Sequence, residues 1–295
     1  MNEAVARAIC ATLCLTAPAT AQSAAAPPGD EEIIVEGKAL PPTRGEVAEQ
    51  ARVLSGASKK YDENLARFQV PICPGASGLK RAPAEILVER IRFNAQRLGA
   101  PLAKAGCSPN LIVAIVADGK ALLSGLASRR PQMVGLMTAD ERDALLRDSQ
   151  PVRVWRNIVT LDAYGVPVPR SRDGKERLPS VWGHSNRWFV KFHRDILSAL
   201  VVFDQEAAMG MTLVQLADYA TMRGFASMRP ANGDEPMATI LSLFADRDRG
   251  TAELTSFDMG YLRSLYWERP DESAVTKLLR VRRQAEKAGS EEGGR

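Results

Sequence analysis

"LTSFDMGYLRSLYW", Leu254 to Trp267, is the stretch on which the fold reading turns. Thr255 and Asp258 stand three apart, the spacing at which a threonine caps a helix and an acidic residue reaches back to it. Leu262, Leu265 and Tyr266 then recur at helical spacing and give the helix one apolar face to bury. The stretch reads as a helix near the end of a folded body. The question it raises is what that face packs on, and whether a metal lies beneath it.

Toward the N-terminus the same signals recur. Thr212 and Gln215 open "TLVQLADYATMRG", Gly224 is its stop, and the short "MATILSLF" lies between the two helices. Thr138 and Glu141 open a further helix, "TADERDALLRD". "VRVWRNIVT" and "RWFVKFHRDILSALVVFD" read as strands, with the irregular "GVPVPRSRDGKERLP" between them. "NLIVAIVADG" is a continuous apolar run of strand length, ended by Asp118-Gly119 and followed by a helix over 120–128. "AEILVERIRFNAQRLG" carries Ile86, Val88, Ile91 and Leu98 on a helical stripe, with Pro83 at its opening and Gly99 past its end. "LARFQVPI" reads as a strand and "GEVAEQARVLSG" as a helix. Near the C-terminus, "KLLRVRRQAEK" places Lys277, Arg280, Arg283 and Lys287 on a solvated helix face, with Val275, Leu278 and Leu279 on the apolar one. Strands mixed with helices, and no repeat of solenoid period, predict one α/β (α+β) domain around a single mixed sheet over residues 46–287. Residues 288–295 read as a disordered tail.

The N-terminal segment reads differently. Arg7, an apolar run from Ala8 to Ala17, and Ala19-Thr20-Ala21 have the order of a secretory signal over residues 1–21, cut between Ala21 and Gln22. That apolar run is too short for a transmembrane helix, and no later segment is long enough. Residues 22–45, rich in Pro, Gly, Ala and acidic side chains, read as a flexible linker. Within it "EEIIVEGK", Glu31 to Lys38, resembles the short box near the N-terminus of TonB-dependent outer-membrane proteins. Two readings stand for it: a strand that docks on a partner's sheet edge, or a solvated linker. The expected location is periplasmic or secreted.

Export determines how the cysteines are read. Cys10 and Cys14 leave with the signal, and Cys73 and Cys107 remain as a candidate disulfide spanning the helix after Pro83. A zinc site lacks further ligands at suitable spacing, and a nucleophilic cysteine would need His184 or His193. The net charge of +4 is too small and too evenly spread for a nucleic-acid partner.

His184 and His193 are the two histidines of the chain. "GHSN" matches the start of a G-x-S-x-G nucleophile elbow, but Arg187 stands where the second glycine belongs. A Ser185–His193 pair oriented by Asp195 or Asp204 is the hydrolytic arrangement the sequence leaves open. Asp204 and Glu206 follow a strong strand, where ligands often meet open sheets. No glycine-rich phosphate loop occurs, and neither a cofactor nor a metal is expected.

The pattern carried by Leu254, Thr255, Asp258, Leu262, Leu265 and Tyr266 resembles the closing helix of zincin-type (metzincin-type) metalloproteases. The same tail also looks like that of uncharacterised exported bacterial proteins. "PMATILSLF" stands where those proteins carry a turn beneath the metal, and Leu213–Arg223 where they carry the zinc-binding helix. The resemblance implies a zincin-like order of elements from about residue 65 to 267. Zinc hydrolysis needs two histidines four apart on one helix, with a glutamate as base. "QLADYATMRG" contains neither residue type; Asp218 is its one carboxylate. No catalytic residue carries over, so the resemblance implies a degenerate zincin-like fold. The expected role is that of an exported non-catalytic protein binding an envelope partner or ligand. A hydrolase using His184 or His193, and a TonB-box-like interaction protein, are the alternatives.

Overall fold

The computed structural model of the protein describes residues 41–57, 64–130, 136–171, 176, 192–245 and 250–293. Ala21, Gln22, the segment Glu31–Lys38, His184 and Ser185 lie outside the described residues. What is described falls in one compact unit, Pro41–Arg295.

Four strands form one mixed sheet: β1 (Pro74–Ser77), β2 (Leu111–Val116), β3 (Val152–Asp162) and β4 (Phe192–Asp204). Their order is β1-β2-β4-β3. The first three in that order run parallel, and β3 lies antiparallel at the edge, with Val154 opposite Val201 and Thr160 opposite Arg194. The register slips between Asn157 and Ile158. This is the expected α+β domain with a mixed sheet.

The helices cover both faces. α1 (Arg44–Ser55), α2 (Arg81–Leu98), α6 (Leu213–Phe225), α7 (Ser256–Tyr266), the short α8 (Ala274–Leu278) and α9 (Val281–Gly293) belong to the larger core. α3 (Gly119–Arg129) and α4 (Ala139–Arg147) cover the other face, where Leu123 of α3 packs with Ala114, Trp155 and Val202 of the sheet. A single turn, α5 (Gln205–Ala208), follows β4. Thr43, Thr138, Thr212 and Thr255 each close a capping box with the residue three further on. Each box satisfies two of the N–H groups that a helix start leaves orphaned.

The structure departs from the sequence reading at six places. α1 begins at Arg44, inside the stretch read as linker, because the Thr43–Glu46 box starts it there. "LARFQVPI" makes no regular strand, because its backbone groups go to separate partners. The Arg67 N–H donates to Arg194 O, Ile196 N donates to Arg67 O, and Ile72 N donates to Pro101 O. On α2 the buried stripe is Leu87, Ile91, Asn94, Ala95 and Leu98, while Ile86 is exposed. Gly224 does not stop α6, which runs on to Phe225. A Cβ there would stand 2.6 Å from Leu111 Cδ1, so the glycine serves close packing of helix on strand. Finally, α9 continues to Gly293, through the region read as tail, because Ala285 and Ala288 are buried and α9 packs along α7. The expected continuous basic helix is broken at Leu279–Arg280, and Lys277 is fully buried instead of solvated.

Candidate functional site

The residues of the opening stretch are engaged in packing. Asp258 is fully buried and accepts from Thr239 Oγ1 at 2.5 Å, Ile240 N at 2.8 Å and Thr255 N at 2.9 Å. Burial pushes its carboxyl up to about 6, against the lowering effect of these donors. Asp258 thus fixes the 3₁₀ turn Ile240–Ser242 against the start of α7. Tyr266 clamps two segments: its hydroxyl donates to Phe225 O at 2.9 Å and accepts from Phe68 N at 3.2 Å. Leu262 and Leu265 are fully buried.

Asp218, the one carboxylate on α6, is equally committed. Arg90 grips it bidentately from α2 at 2.8 and 2.7 Å, Asn94 Nδ2 donates at 2.7 Å, and the Leu254 N–H donates at 2.9 Å. A buried carboxylate held by four donors ties α2, α6 and the entry to α7 together. Among the described residues, no three or more His, Cys, Asp or Glu side chains gather as metal ligands.

Of the described hydrolytic candidates, His193 and Asp195 lie side by side and Asp204 stands apart. His193 and Asp204 sit near opposite ends of β4, roughly 36 Å apart at the strand rise. Asp204 is taken up by Arg153 Nη1, at 3.0 and 2.9 Å, and by the Gly119 N–H at 2.8 Å. His193 Nε2 lies 3.7 Å from Asp195 Oδ2, beyond hydrogen-bond reach. Glu206 belongs to α5. Cys73 and Cys107 form the expected disulfide.

One site is not announced by residue spacing. A cleft of about 590 Å³ opens beside β3, between the start of α4 and the segment that follows α6. Its lining includes Arg156, Arg170, Arg194, Arg223 and Arg229. The three carboxylates among its described lining are Glu141, Asp148 and Glu176, so that described lining is two charges positive. All three are already engaged, Asp148 by the Gln150 N–H, which donates to its Oδ1 at 2.9 Å. Glu141 is held by the Thr138 capping box, and Glu176 by Arg170 at 3.4 Å and by Thr160.

Arg156 and Arg223 lie together at one end. Arg156 points inward from β3, and its Nε donates to Arg223 O at 3.0 Å; its Nη2 bonds the same carbonyl. These bonds cap the C-terminal end of α6, where the helix dipole favours a cation. Arg223, itself 6% exposed, donates from Nη1 to Tyr219 Oη at 2.8 Å, and its Nε has no partner. Burial, and then the like charge of Arg223, push Arg156 down to about 9, so the Arg156 guanidinium remains charged at neutral pH. Arg194 likewise has a buried Nε with no partner. Arg229 lies over the left-handed C-cap of α1, with Nη2 2.7 Å from where a Cβ on Gly56 would be. Among the described residues, Arg156, Arg194, Arg223 and Arg229 have no carboxylate partner.

A second basic hollow, of about 320 Å³, is lined by Arg44, Arg280, Arg282 and Arg283 with Glu286. Its charge is largely spent within the fold. Arg280 pairs with Glu268 at 2.6 Å and Glu272 at 2.8 Å, and Arg282 with Glu286 at 2.8 Å. The cleft beside β3 differs in that, among the described residues, four of its five arginines have no carboxylate partner.

No protein-family model, no curated protein and no solved structure matches the chain.

The arginines of the cleft come from residues 156 to 229 of the chain, on separate elements, so no local spacing reveals them. One signal was available. In "VRVWRNIVT" the inward positions read Val152, Val154, Arg156, Ile158, which puts a charged residue on the apolar face of an alternating strand.

Proposed function

We propose that the protein is an exported, non-catalytic binding protein that holds an anionic organic ligand in the cleft beside β3. The observation that carries this reading is the set of four arginines around one cleft that have no carboxylate partner among the described residues. Half-buried charge of one sign is costly unless a counter-charge arrives, and guanidinium is the side chain best suited to carboxylate and phosphate groups. The volume is that of a small-molecule site, and Leu136, Met137, Val154 and Ile158 supply apolar wall for an organic body. The Cys73–Cys107 disulfide and the charged–apolar–small order of residues 1–21 support an oxidising, exported setting. Among the described residues no helix is long and apolar enough to cross a membrane.

Thermal unfolding in the presence of matched anionic and neutral aromatic compounds, at constant ionic strength, tests it. The anionic members are expected to raise Tm and the neutral ones to leave it unchanged. Equal shifts from neutral analogues, or no shift from any anion, would overturn the reading.

A further inference from the structure

We propose that the Arg156–Arg223 pair is the seat of a phosphomonoester group, with the organic part of the ligand lying along Val154 and Ile158 toward Arg194. This rests on the reading of the cleft as an anion site and names the ligand's chemical class.

Three observations converge on it. First, the pair needs two negative charges. Arg156 and Arg223 are close enough to oppose each other's charge, and no described carboxylate pairs with either. A monocarboxylate would leave one guanidinium uncompensated, whereas a phosphomonoester carries close to two charges at neutral pH. Second, the donors are held before any ligand arrives. Arg156 is fixed by carbonyls of Arg223 and Met228, the latter at 3.5 Å, and Arg223 by Tyr219. The bonds made inside the protein leave Nη1 of Arg156 and Nη2 of Arg223 without a partner among the described residues. These come from different elements, a strand and a helix, and flank a ligand group instead of presenting one planar fork. That suits a tetrahedral oxyanion with acceptors on several sides. Third, the cleft continues away from the pair. Along one face of β3, Val154, Arg156 and Ile158 succeed one another, and Arg194 stands opposite Thr160 further along. At the strand rise, Arg194 starts roughly 13 Å from Arg156, so the far arginine meets a different part of the ligand.

Calorimetric titration of the full chain with phenyl phosphate, benzoate and phthalate at constant ionic strength tests the proposal. Phenyl phosphate is expected to bind tightest. Arg223→Gln is expected to weaken it at least tenfold without lowering the Tm of the ligand-free protein, because the substitution removes a like-charge neighbour of Arg156. An arginine kept only for structure would lose Tm instead. Binding is also expected to weaken as pH falls from about 7.5 to about 5, since the phosphate regains its second proton near pH 6. The charged side chains of the described cleft lining are the five arginines with Glu141, Asp148 and Glu176. If Arg223→Gln does not fold, Arg223→Lys and the pH profile of the unaltered protein decide the matter. Benzoate or phthalate binding as tightly as phenyl phosphate would overturn the phosphate seat and leave the anion cleft standing. Phenyl phosphate binding indifferent to both Arg223 and pH would overturn the placement. No binding of any of the three would overturn the proposal together with the cleft reading.

Discussion

Lys277 carries its amine into the turn between α7 and α8, where it donates to the Pro270 carbonyl at 3.3 Å. Asp271, Glu272 and Glu268 attract it, and Arg67 repels it. Burial is the largest influence, and the net effect pushes the amine down to about 7. The sign of the consequence follows from proton counting. Between about pH 7 and 10.5 the unfolded chain keeps this lysine protonated while the folded protein does not, so the unfolded state binds more protons. Stability contributed at this position therefore rises with pH across that window and levels off above it. Urea unfolding at about pH 7 and 9.5 is expected to show the unaltered protein gaining on the order of 3 kcal/mol relative to Lys277→Met. Parallel pH dependence in the two proteins would mean that the amine is already solvated at neutral pH. Arg67 has the opposite task in the same region: its Nη1 donates to Leu265 O at 2.5 Å and Glu268 O at 2.9 Å and so satisfies carbonyls at the end of α7.

Among the elements, α7 is the one most tightly enclosed, and a glycine sets its distance from α9. A Cβ on Gly260 would lie 2.6 Å from Ala285 N and 2.7 Å from Val281 O, both backbone atoms that no rotamer change can move. Gly260→Ala must push the two helices apart and is expected to cost about 3 kcal/mol. Gly289, on α9 itself, meets only Ser256 Cβ at 4.0 Å, so Gly289→Ala is expected to stabilise by about 0.5–1 kcal/mol through helix propensity. Opposite signs for the two substitutions in thermal or urea unfolding would locate the effect in packing; equal signs would place α9 elsewhere. This pair also shows what sequence patterns can reach. The capping boxes at Thr138, Thr212 and Thr255 were legible because both partners lie within one turn of each other. Gly224 was misread as a stop, because the reason for it is Leu111, more than a hundred residues earlier. "LARFQVPI" looked like a strand because apolar content reports burial, while its hydrogen-bond partners at Pro101, Arg194 and Tyr266 are set by tertiary structure.

Across the whole molecule the same division separates scaffold from site. The mixed sheet follows from runs such as Leu111–Val116, each readable alone, whereas the cleft exists only once β3, β4 and the end of α6 are assembled. Asp218 and Asp258 join these layers through buried hydrogen bonds, and the disulfide joins them covalently at the opposite end of the sheet from Asp204. Cys73 immediately precedes β1, and its carbonyl accepts from Asn110 N at 3.0 Å and Leu111 N at 3.1 Å, at the start of β2. Asn110 Oδ1 accepts from the Cys73 N–H at 2.8 Å in return. The bridge therefore closes the β1–α2–β2 crossover at a point the backbone already pins. A link across 34 residues, made without displacing strands that pair anyway, acts chiefly by restricting the unfolded chain. Cys73→Ser together with Cys107→Ser is expected to lower unfolding free energy by about 3–4 kcal/mol on the loop-entropy relation. Because the cleft stands beside β3, at the other edge of the sheet from β1, its affinity for phenyl phosphate is expected to be unchanged in the double variant at temperatures where that variant stays folded. Stability lost with affinity kept would place the crosslink in the scaffold alone. Loss of both in a folded protein would show that the β1 edge and the arginine cleft are mechanically coupled through β2 and β4.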